Sequence, residues 1–428
     1  MKAEILTIGD ELLRGEILDS NKSVLSARLL DLGVETHWQT SVRDDCEEMI
    51  DAFRCAAQRS DLILVSGGLG PTRDDLTSEA LAKAFGRKLV LDAASLREIE
   101  KFFERLGRKM AESNVKQAYF PEDSEILKNP IGTAPGFCLR EQESWFFCMP
   151  GVPTELMQML EESVVPRVEK LSVAQEEVSR TVLLRSFGMG ESALEDALKD
   201  CFREAGLTLG FRTAFPDNFL RLTAKGRTAC EAQAHLDRAQ AVLCERLGEV
   251  VYGSEKENLE SLVIRGLCET QQTLAVAESC TGGLIAQRLT SVAGASKVFL
   301  GGVVAYSNSL KEKLLGVDPA LLTRYGAVSE AVARAMAEGV RKQLDARFGI
   351  ATTGIAGPSG GTLEKPVGLA YVAISRGDET RVRSFCLATE RNRHRTLTSQ
   401  IALDGLRRWL LGLDWDLTSI GGIKGKPD

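Results

Sequence analysis

Two short apolar runs set the fold class of this chain. Leu62-Ile63-Leu64-Val65 and Leu274-Ala275-Val276-Ala277 are apolar at every position, and each passes straight into a glycine-bearing turn followed by a helical pattern. A strand buried on both faces reads as a continuous apolar run, whereas one solvated face imposes alternation. Around the first run, residues 21–32 carry apolar side chains at helical spacing and stop at Gly33, residues 34–42 alternate, and residues 47–58 return to helical spacing. A further helix is expected over residues 153–171. Strand, helix, strand in that order predicts α/β architecture with parallel strands, in residues 1–172 and again in residues 256–415. In the second block the pattern predicts a strand at 298–306, a long helix at 329–348 capped by Ser329, strands at 350–353, 368–374 and 382–386, and a closing helix at 391–411. Residues 175–255 differ. Strands at 178–187, 207–211 and 219–225, with helices at 194–205 and 229–247, make a small α+β connector. Residues 416–428, rich in Gly, Lys and Pro, read as a disordered tail. A length of 428 residues is consistent with this division.

Composition then removes function classes. The chain has three histidines, His37, His235 and His394, with no second His or Cys at metal-ligand spacing. That disfavours a His-built zinc site and a Ser-His-Asp machine. Lys plus Arg is 53 against 60 acidic residues, a net charge of −7, and the connector lacks the Gly-x-x-Gly of nucleic-acid-clamping loops. Direct nucleic-acid binding is not expected. The ten cysteines form no C-x-x-C pair and read as reduced thiols. No signal peptide and no membrane-length apolar run is visible, so a cytoplasmic protein is expected.

The second run ends in Glu278-Ser279-Cys280-Thr281-Gly282-Gly283. Ligands bind at the C-terminal ends of such strands, and free N–H groups at a helix start can hold a developing oxyanion. Ser279 is a candidate nucleophile, or simply an N-cap. With histidine disfavoured, its base would be a lysine, and Lys311 follows Tyr306-Ser307-Asn308 at a helix start. Burial and the helix dipole would both favour its neutral form. Spacing alone does not choose Lys311 over Lys313. Thr353-Gly354-Ile355-Ala356-Gly357-Pro358 enters a glycine-rich loop able to present N–H groups to phosphate, and Arg391, Arg393 and Arg395 open the last helix as anion-clamp candidates. In the first block, Ser66-Gly67-Gly68-Leu69-Gly70-Pro71-Thr72-Arg73-Asp74-Asp75 suits a phosphate and its metal ion, with Asp10 and Asn21 upstream and Gly151 and Glu155 downstream.

In order and spacing the motifs of residues 256–412 resemble the CinA C-terminal domain, and those of residues 1–170 resemble the molybdopterin-binding (MoaB/MogA-like) fold found at the CinA N-terminus. The resemblance implies a three-layer N-terminal domain, a KH-like connector and a C-terminal α/β deamidase domain. It implies a cofactor-free serine amidohydrolase that converts nicotinamide mononucleotide to nicotinic acid mononucleotide and ammonia. Ser279 and Lys311 match the family's Ser/Lys dyad. Glu278, Thr281, Gly282, Gly283, Tyr306, Asn308, Thr353, Gly354, Gly357, Arg391 and Arg395 then fall at substrate. The last helix opens Glu390-Arg391-Asn392 where the family often has Gly-Asp-Arg, which leaves open whether Arg391 or Arg395 meets substrate. For the N-terminal domain the resemblance implies a pyrophosphatase that splits ADP-ribose into AMP and ribose 5-phosphate with a divalent metal. Asp10, Asp74, Asp75 and Glu155 are the candidate metal or water ligands, and Gly67, Gly68, Gly70, Pro71, Thr72, Asn21 and Gly151 the candidate phosphate contacts. A homodimer is also implied. The alternatives are a deamidase whose first domain only binds a nucleotide or pterin, and a competence or DNA-damage accessory protein.

Overall fold

The computed structural model describes residues 1–172, 178–202, 206–387 and 389–415. The expected disordered tail, 416–428, lies outside them. The chain divides into two compact units, Met1–Thr181 with Thr223–Leu236, and Val182–Leu222 with the rest of the chain from Asp237.

The first unit carries strands β1 (Lys2–Ile8), β2 (Glu35–Val42), β3 (Leu62–Ser66), β4 (Leu89–Leu91), β5 (Tyr119–Pro121), β6 (Glu125–Leu127), β7 (Gly136–Glu141) and β8 (Ser144–Met149). Its helices are α1 (Asp10–Leu13), α2 (Ser20–Asp31), α3 (Cys46–Arg59), α4 (Thr77–Ala84), α5 (Ala93–Arg105), α6 (Pro153–Met159) and α7 (Val165–Ser172). Six strands form one sheet in the order β2-β1-β3-β8-β7-β6, while β4 and β5 pair apart as a ribbon. β2, β1, β3 and β8 run parallel; β7 is antiparallel to β8, and β6 antiparallel to β7. The unbroken apolar run of β3 has its reason here. Ile63 and Val65 enter one core layer with Met49 and Phe53 of α3, and Leu62 and Leu64 enter the other with Leu25 and Leu29 of α2. Successive residues of a strand point to opposite faces, so both parities must be apolar. The helix expected over residues 153–171 is instead α6 and α7 joined by a π-helical turn, Leu160–Val164. Pro166 has no N–H to continue the regular ladder.

The connector contributes β9 (Val178–Ser186), α8 (Glu191–Leu198), β10 (Leu207–Ala214), β11 (Asp217–Gly226), α9 (Ala229–Leu247) and β12 (Val251–Ser254), with sheet order β10-β11-β9-β12. The sequence reading did not foresee β12. The helix expected to reach Ala205 stops at Leu198; residues 203–205 are outside those described.

The second unit holds α10 (Leu259–Glu269), β13 (Leu274–Glu278), α11 (Leu284–Thr290), β14 (Phe299–Val304), α12 (Asn308–Leu315), α13 (Pro319–Tyr325), α14 (Glu330–Gln343), β15 (Phe348–Gly354), β16 (Leu369–Arg376), β17 (Glu379–Cys386) and α15 (Arg391–Leu410). The sheet order is β14-β13-β15-β16-β17, with β14, β13 and β15 parallel, β16 antiparallel to β15 and β17 antiparallel to β16. β13 is buried at every position. Leu274 and Val276 pack with α10, α11 and α15, while Ala275 and Ala277 pack with Val332, Ala333 and Met336 of α14. α14 ends at Gln343, short of the expected Phe348. Asp345 turns to φ 49°, and Phe348 N–H bonds Thr273 O as it joins β15. No helix among the described residues is long and apolar enough to cross a membrane.

Candidate active sites

At the C-terminal end of β13, Ser279 N–H donates to Thr352 O at 3.0 Å, which fixes the serine beside β15. Lys311 reaches it from the first half of α12. Its Nζ lies 3.2 Å from Ser279 Oγ, 2.8 Å from Ala305 O and 3.3 Å from Tyr306 O. The side chain is 1% exposed. Burial pulls its ammonium below the ordinary lysine value of 10.5. Among the described residues no carboxylate pairs with it, so nothing offsets that desolvation by ion pairing. A lysine with a depressed pKa, one hydrogen bond from a hydroxyl, has the chemistry to act as a base toward that proton.

The turn after Ser279 needs both of its glycines, since Gly282 and Gly283 sit at φ 61° and 94°. Glu278 does not face outward toward a ligand. Its buried carboxylate accepts from the N–H groups of Gly283 at 2.9 Å, Ile285 at 3.1 Å and Ala286 at 2.8 Å. The start of α11 is therefore capped from below. The N–H groups of Thr281 and Gly282, in the turn itself, enter no backbone hydrogen bond among the described residues. The N–H groups left without a backbone partner thus belong to the turn rather than to the helix start, and Glu278 anchors the backbone that follows them. Thr281 is fully buried, its Oγ1 2.7 Å from Thr352 Oγ1.

Two arginines of α15 close the rim. Arg395 Nε and Nη2 donate to Thr281 O at 3.2 and 2.9 Å. Arg391 donates to Gly357 O at 2.9 Å and to the Tyr306 hydroxyl at 3.0 Å. Tyr306 is 60% exposed. Thr353 is buried and donates to Ala327 O, Gly354 ends β15, and Asn308 is exposed at the start of α12. His394 is buried on α15 with Nε2 against Gly368 O and its pKa lowered by burial, and no histidine bonds Ser279.

In the first unit a cavity of about 400 Å3 opens at the end of β3. Its floor is the Gly67–Gly70 turn. A Cβ on Gly67 would collide with Ile8 O, and Thr77 caps the turn through Gly67 O at 2.8 Å. Five carboxylates line the cavity: Glu11, Asp44, Asp74, Asp75 and Glu155. This lining differs from the candidate metal residues expected from the sequence. Asp10 is turned away to Arg14 and Arg43, and its neighbour Glu11 faces the cavity instead. α1 is only four residues long, so one step around the helix decides which acid points inward. Asp75 Oδ2 is occupied by Thr72 N–H at 2.7 Å and Thr72 Oγ1 at 2.5 Å. Glu155 accepts from Asn129 Nδ2 at 2.7 Å. Among the described residues no three His, Cys, Asp or Glu side chains converge into a finished metal cage. Asp44 is raised above the ordinary carboxylate range by burial and by the charges of Glu11, Asp10 and Asp74. Asn21 and Thr72 support the cavity from outside it: Asn21 donates to Ser66 Oγ at 3.0 Å and Gly151 O at 2.8 Å.

Three family models match the chain in succession: a probable molybdopterin binding domain over residues 4–170, the KH domain of damage-inducible protein CinA over 181–253, and the CinA C-terminal domain over 256–410. A putative competence-damage inducible protein of Acetivibrio thermocellus is 44% identical over 414 residues, 96% of this chain and all of that one. The chain belongs to the CinA family. A CinA-like protein of Dictyoglomus turgidum is 42% identical over 414 residues, again 96% of this chain and all of the relative. The crystal structure of CinA from Thermoplasma acidophilum, described as of unknown function, is 33% identical, covers 39% of this chain and 97% of its own, and has a TM-score of 0.37.

In this CinA-family chain the folded structure brings Ser279, Lys311, Thr281, Gly282, Gly283, Tyr306, Gly357, Arg391 and Arg395 into one neighbourhood. Gly67, Gly68, Gly70, Pro71, Asp74, Asp75, Gly151 and Glu155 meet in another. Sequence reasoning missed Glu11, Asp44, Gln117 and Thr133 of the second. Glu11 is the immediate neighbour of the candidate Asp10. Asp44 carried no local signal.

Proposed function

We propose that the C-terminal half of this chain hydrolyses the carboxamide of nicotinamide mononucleotide, and that the N-terminal half hydrolyses ADP-ribose when a divalent cation is present. The first reading rests on one observation above the others: a buried lysine amine 3.2 Å from a serine hydroxyl at a strand end. The family membership supports the substrate.

The chemistry follows from those positions. Neutral Lys311 takes the Ser279 proton as Oγ bonds the carboxamide carbon. The Thr281 and Gly282 N–H groups receive the oxyanion. The tetrahedral intermediate collapses, the C–N bond breaks, and the Lys311 ammonium returns a proton so that ammonia leaves. Water then gives a proton to Lys311, its oxygen bonds the ester carbon, and Ser279 departs with that proton. One carboxamide and one water become one carboxylic acid and one ammonia. Arg391 and Arg395 suit the nucleotide phosphate.

Glu278→Gln tests the turn. A charge-assisted hydrogen bond contributes roughly 1.5–3 kcal/mol, so kcat is expected to fall by about tenfold to a hundredfold while KM changes by less than about threefold. An unchanged kcat in an ammonia-release assay would show that Glu278 does not hold the oxyanion donors.

For the N-terminal half, the cavity offers oxygen donors only, as hard divalent cations prefer. Magnesium commonly takes one or two carboxylates and completes its shell with water and substrate phosphate, so an unfinished cage fits it. One or two of the lining acids, Asp44 among them, would hold it. A bound cation supplies charge neutralisation of the diphosphate and a more acidic water. The chain's own part is to orient the diphosphate on the N–H groups of Gly68, Leu69 and Gly70, since Gly67 N–H is taken by Met149 O, and to position the acids. Binding without hydrolysis is the second reading, because the fold family handles pterins as well. The full chain should be incubated separately with nicotinamide mononucleotide and with ADP-ribose, with and without chelator. Ammonia release indifferent to chelator, beside AMP release that chelator stops, is the expected result. Chelator-sensitive ammonia release would sink the Ser/Lys reading, and ADP-ribose left intact with magnesium or manganese would leave only nucleotide binding.

A further inference from the structure

Helix α15 carries both rim arginines at its start, and the turns behind them are held by buried polar side chains. Arg391, Arg395 and Ser399 follow at four-residue steps, so they lie one above another on one face of the helix. Just beyond Arg395, Ser399 and Gln400 are 0% and 1% exposed. Arg288 of α11 grasps both: its Nη1 donates to Ser399 Oγ at 2.8 Å and its Nη2 to Gln400 Oε1 at 2.6 Å. Arg288 is in turn fixed by Glu260 of α10 at 2.7 Å. α11 starts from the turn after Ser279. The two helices that flank the Ser279 turn therefore meet in a polar seam, one helical turn from the bond between Arg395 and Thr281 O.

The connector closes the far end of that seam. Asp217 opens β11 and falls in the same compact unit as α15. Its Oδ1 accepts from Gln400 Nε2. The direction of the Gln400 amide is set by its partners. A guanidinium only donates and a carboxylate only accepts, so Oε1 faces Arg288 and Nε2 faces Asp217. Asp217 is 7% exposed, and its contact with Arg185 Nη1 is long, 3.4 Å. Burial raises its carboxyl above the ordinary carboxylate range, so this acid is kept in place at a cost. Two residues earlier, Phe215 lies against the Arg393 guanidinium of α15, 4.3 Å from its ring centre. Beside these contacts a cavity of about 350 Å3 is left, walled by Phe215, Asp217, Arg288, Thr396 and Gln400. Unfilled space gives no packing contact, so the hydrogen-bonded relay is what couples the connector to the start of α15.

We propose that Asp217 is a positioning residue for the C-terminal active site: the relay from Asp217 through Gln400 to Arg288 holds the first turns of α15, so that Arg395 stays on Thr281 O and Arg391 on Gly357 O. The connector is then a part of that active site and not a spacer. Asp217 itself touches no substrate. The link to substrate rests on the assignment of Arg391 and Arg395 to the nucleotide phosphate; the hold on α15 does not.

The test uses the full chain. Asp217→Ala leaves the Gln400 amide without its acceptor, and Asp217→Asn returns one. Asp217→Ala is expected to raise KM for nicotinamide mononucleotide by about tenfold with kcat within about threefold, and Asp217→Asn to keep KM within about threefold of wild type. Hydrogen exchange read by mass spectrometry supplies a measure that needs no substrate. Amides of residues 392–398 should exchange about tenfold faster in Asp217→Ala, while those of β13 and β15 keep their wild-type rates. If wild type releases no ammonia from nicotinamide mononucleotide and faster exchange is still confined to the start of α15, the hold on α15 stands and the substrate assignment falls. Unchanged exchange in Asp217→Ala, or an unchanged KM where wild type is active, overturns the proposal. So does faster exchange across β13 and β15 as well, which would make Asp217 a general prop of the fold. A KM in Asp217→Asn as high as in Asp217→Ala would place the effect on the charge and overturn the relay.

Discussion

Lys311→Met is expected to lower kcat for hydrolysis of nicotinamide mononucleotide by at least about 1,000-fold, since both the nucleophile's activation and the protonation of ammonia pass through that amine. Ser279→Ala should lose about as much, and the double variant no more than either alone, because residues acting as one unit are not additive. Methionine keeps an unbranched apolar stem of similar length in a site where Lys311 is 1% exposed, so the fold should survive. Retention of more than about a tenth of the activity by Lys311→Met would remove lysine as the base.

The same substitution has a signature in stability. Burial lowers the folded-state pKa of Lys311 below its unfolded value of 10.5. Between the two values the unfolded chain binds more protons, so stability rises with pH across that window, and the cost of burying the charge is fully present below it. Methionine has no such dependence. Wild type should therefore gain stability relative to Lys311→Met as pH rises from neutrality toward 10.5, read as melting temperature. Deamidation should rise over the same range as the neutral amine becomes populated. A wild-type rate that falls as Lys311 loses its proton contradicts its role as base.

What the sequence could show depended on how local each signal was. β3 and β13 were legible because burial on both faces writes itself as an unbroken apolar run. Lys311 against Lys313 could have been decided from helical phase. Lys311 and Leu315, four residues apart, share the buried face of α12, whereas Lys313 falls on the exposed side. Glu278 was misplaced because a carboxylate before a glycine turn looks the same whether it faces a ligand or caps the next helix. Asp10 and Glu11 sit on a helix of one turn, too short for any period to be read. Asp44 was out of reach for a different reason. It follows β2, and it meets Glu11 only because β2 lies parallel to β1, with Gly9 N–H bonded to Val42 O at 3.1 Å. A contact made by strand pairing leaves no mark in either segment alone.

That strand-made contact carries the second large effect. Asp44→Asn is expected to lower metal-dependent ADP-ribose hydrolysis by about a hundredfold or more while leaving deamidation unchanged, because a hard cation loses a charged oxygen donor. The raised pKa of Asp44 supplies a readout that needs no turnover. Its folded-state value lies above the unfolded one, so between them the folded chain binds more protons. Ionising Asp44 beside Glu11, Asp10 and Asp74 then costs stability as pH rises through the folded value, and the full cost is present above that value. A divalent cation reverses that repulsion. Magnesium or manganese should accordingly raise the melting temperature of wild type and do so much less in Asp44→Asn, while without metal the asparagine variant should be the more stable of the two once pH exceeds the folded value of Asp44. The opposite order, or an equal metal-induced rise in both proteins, would mean that the acids around Asp44 hold no cation and that the cavity serves a ligand bound by the glycine turn alone.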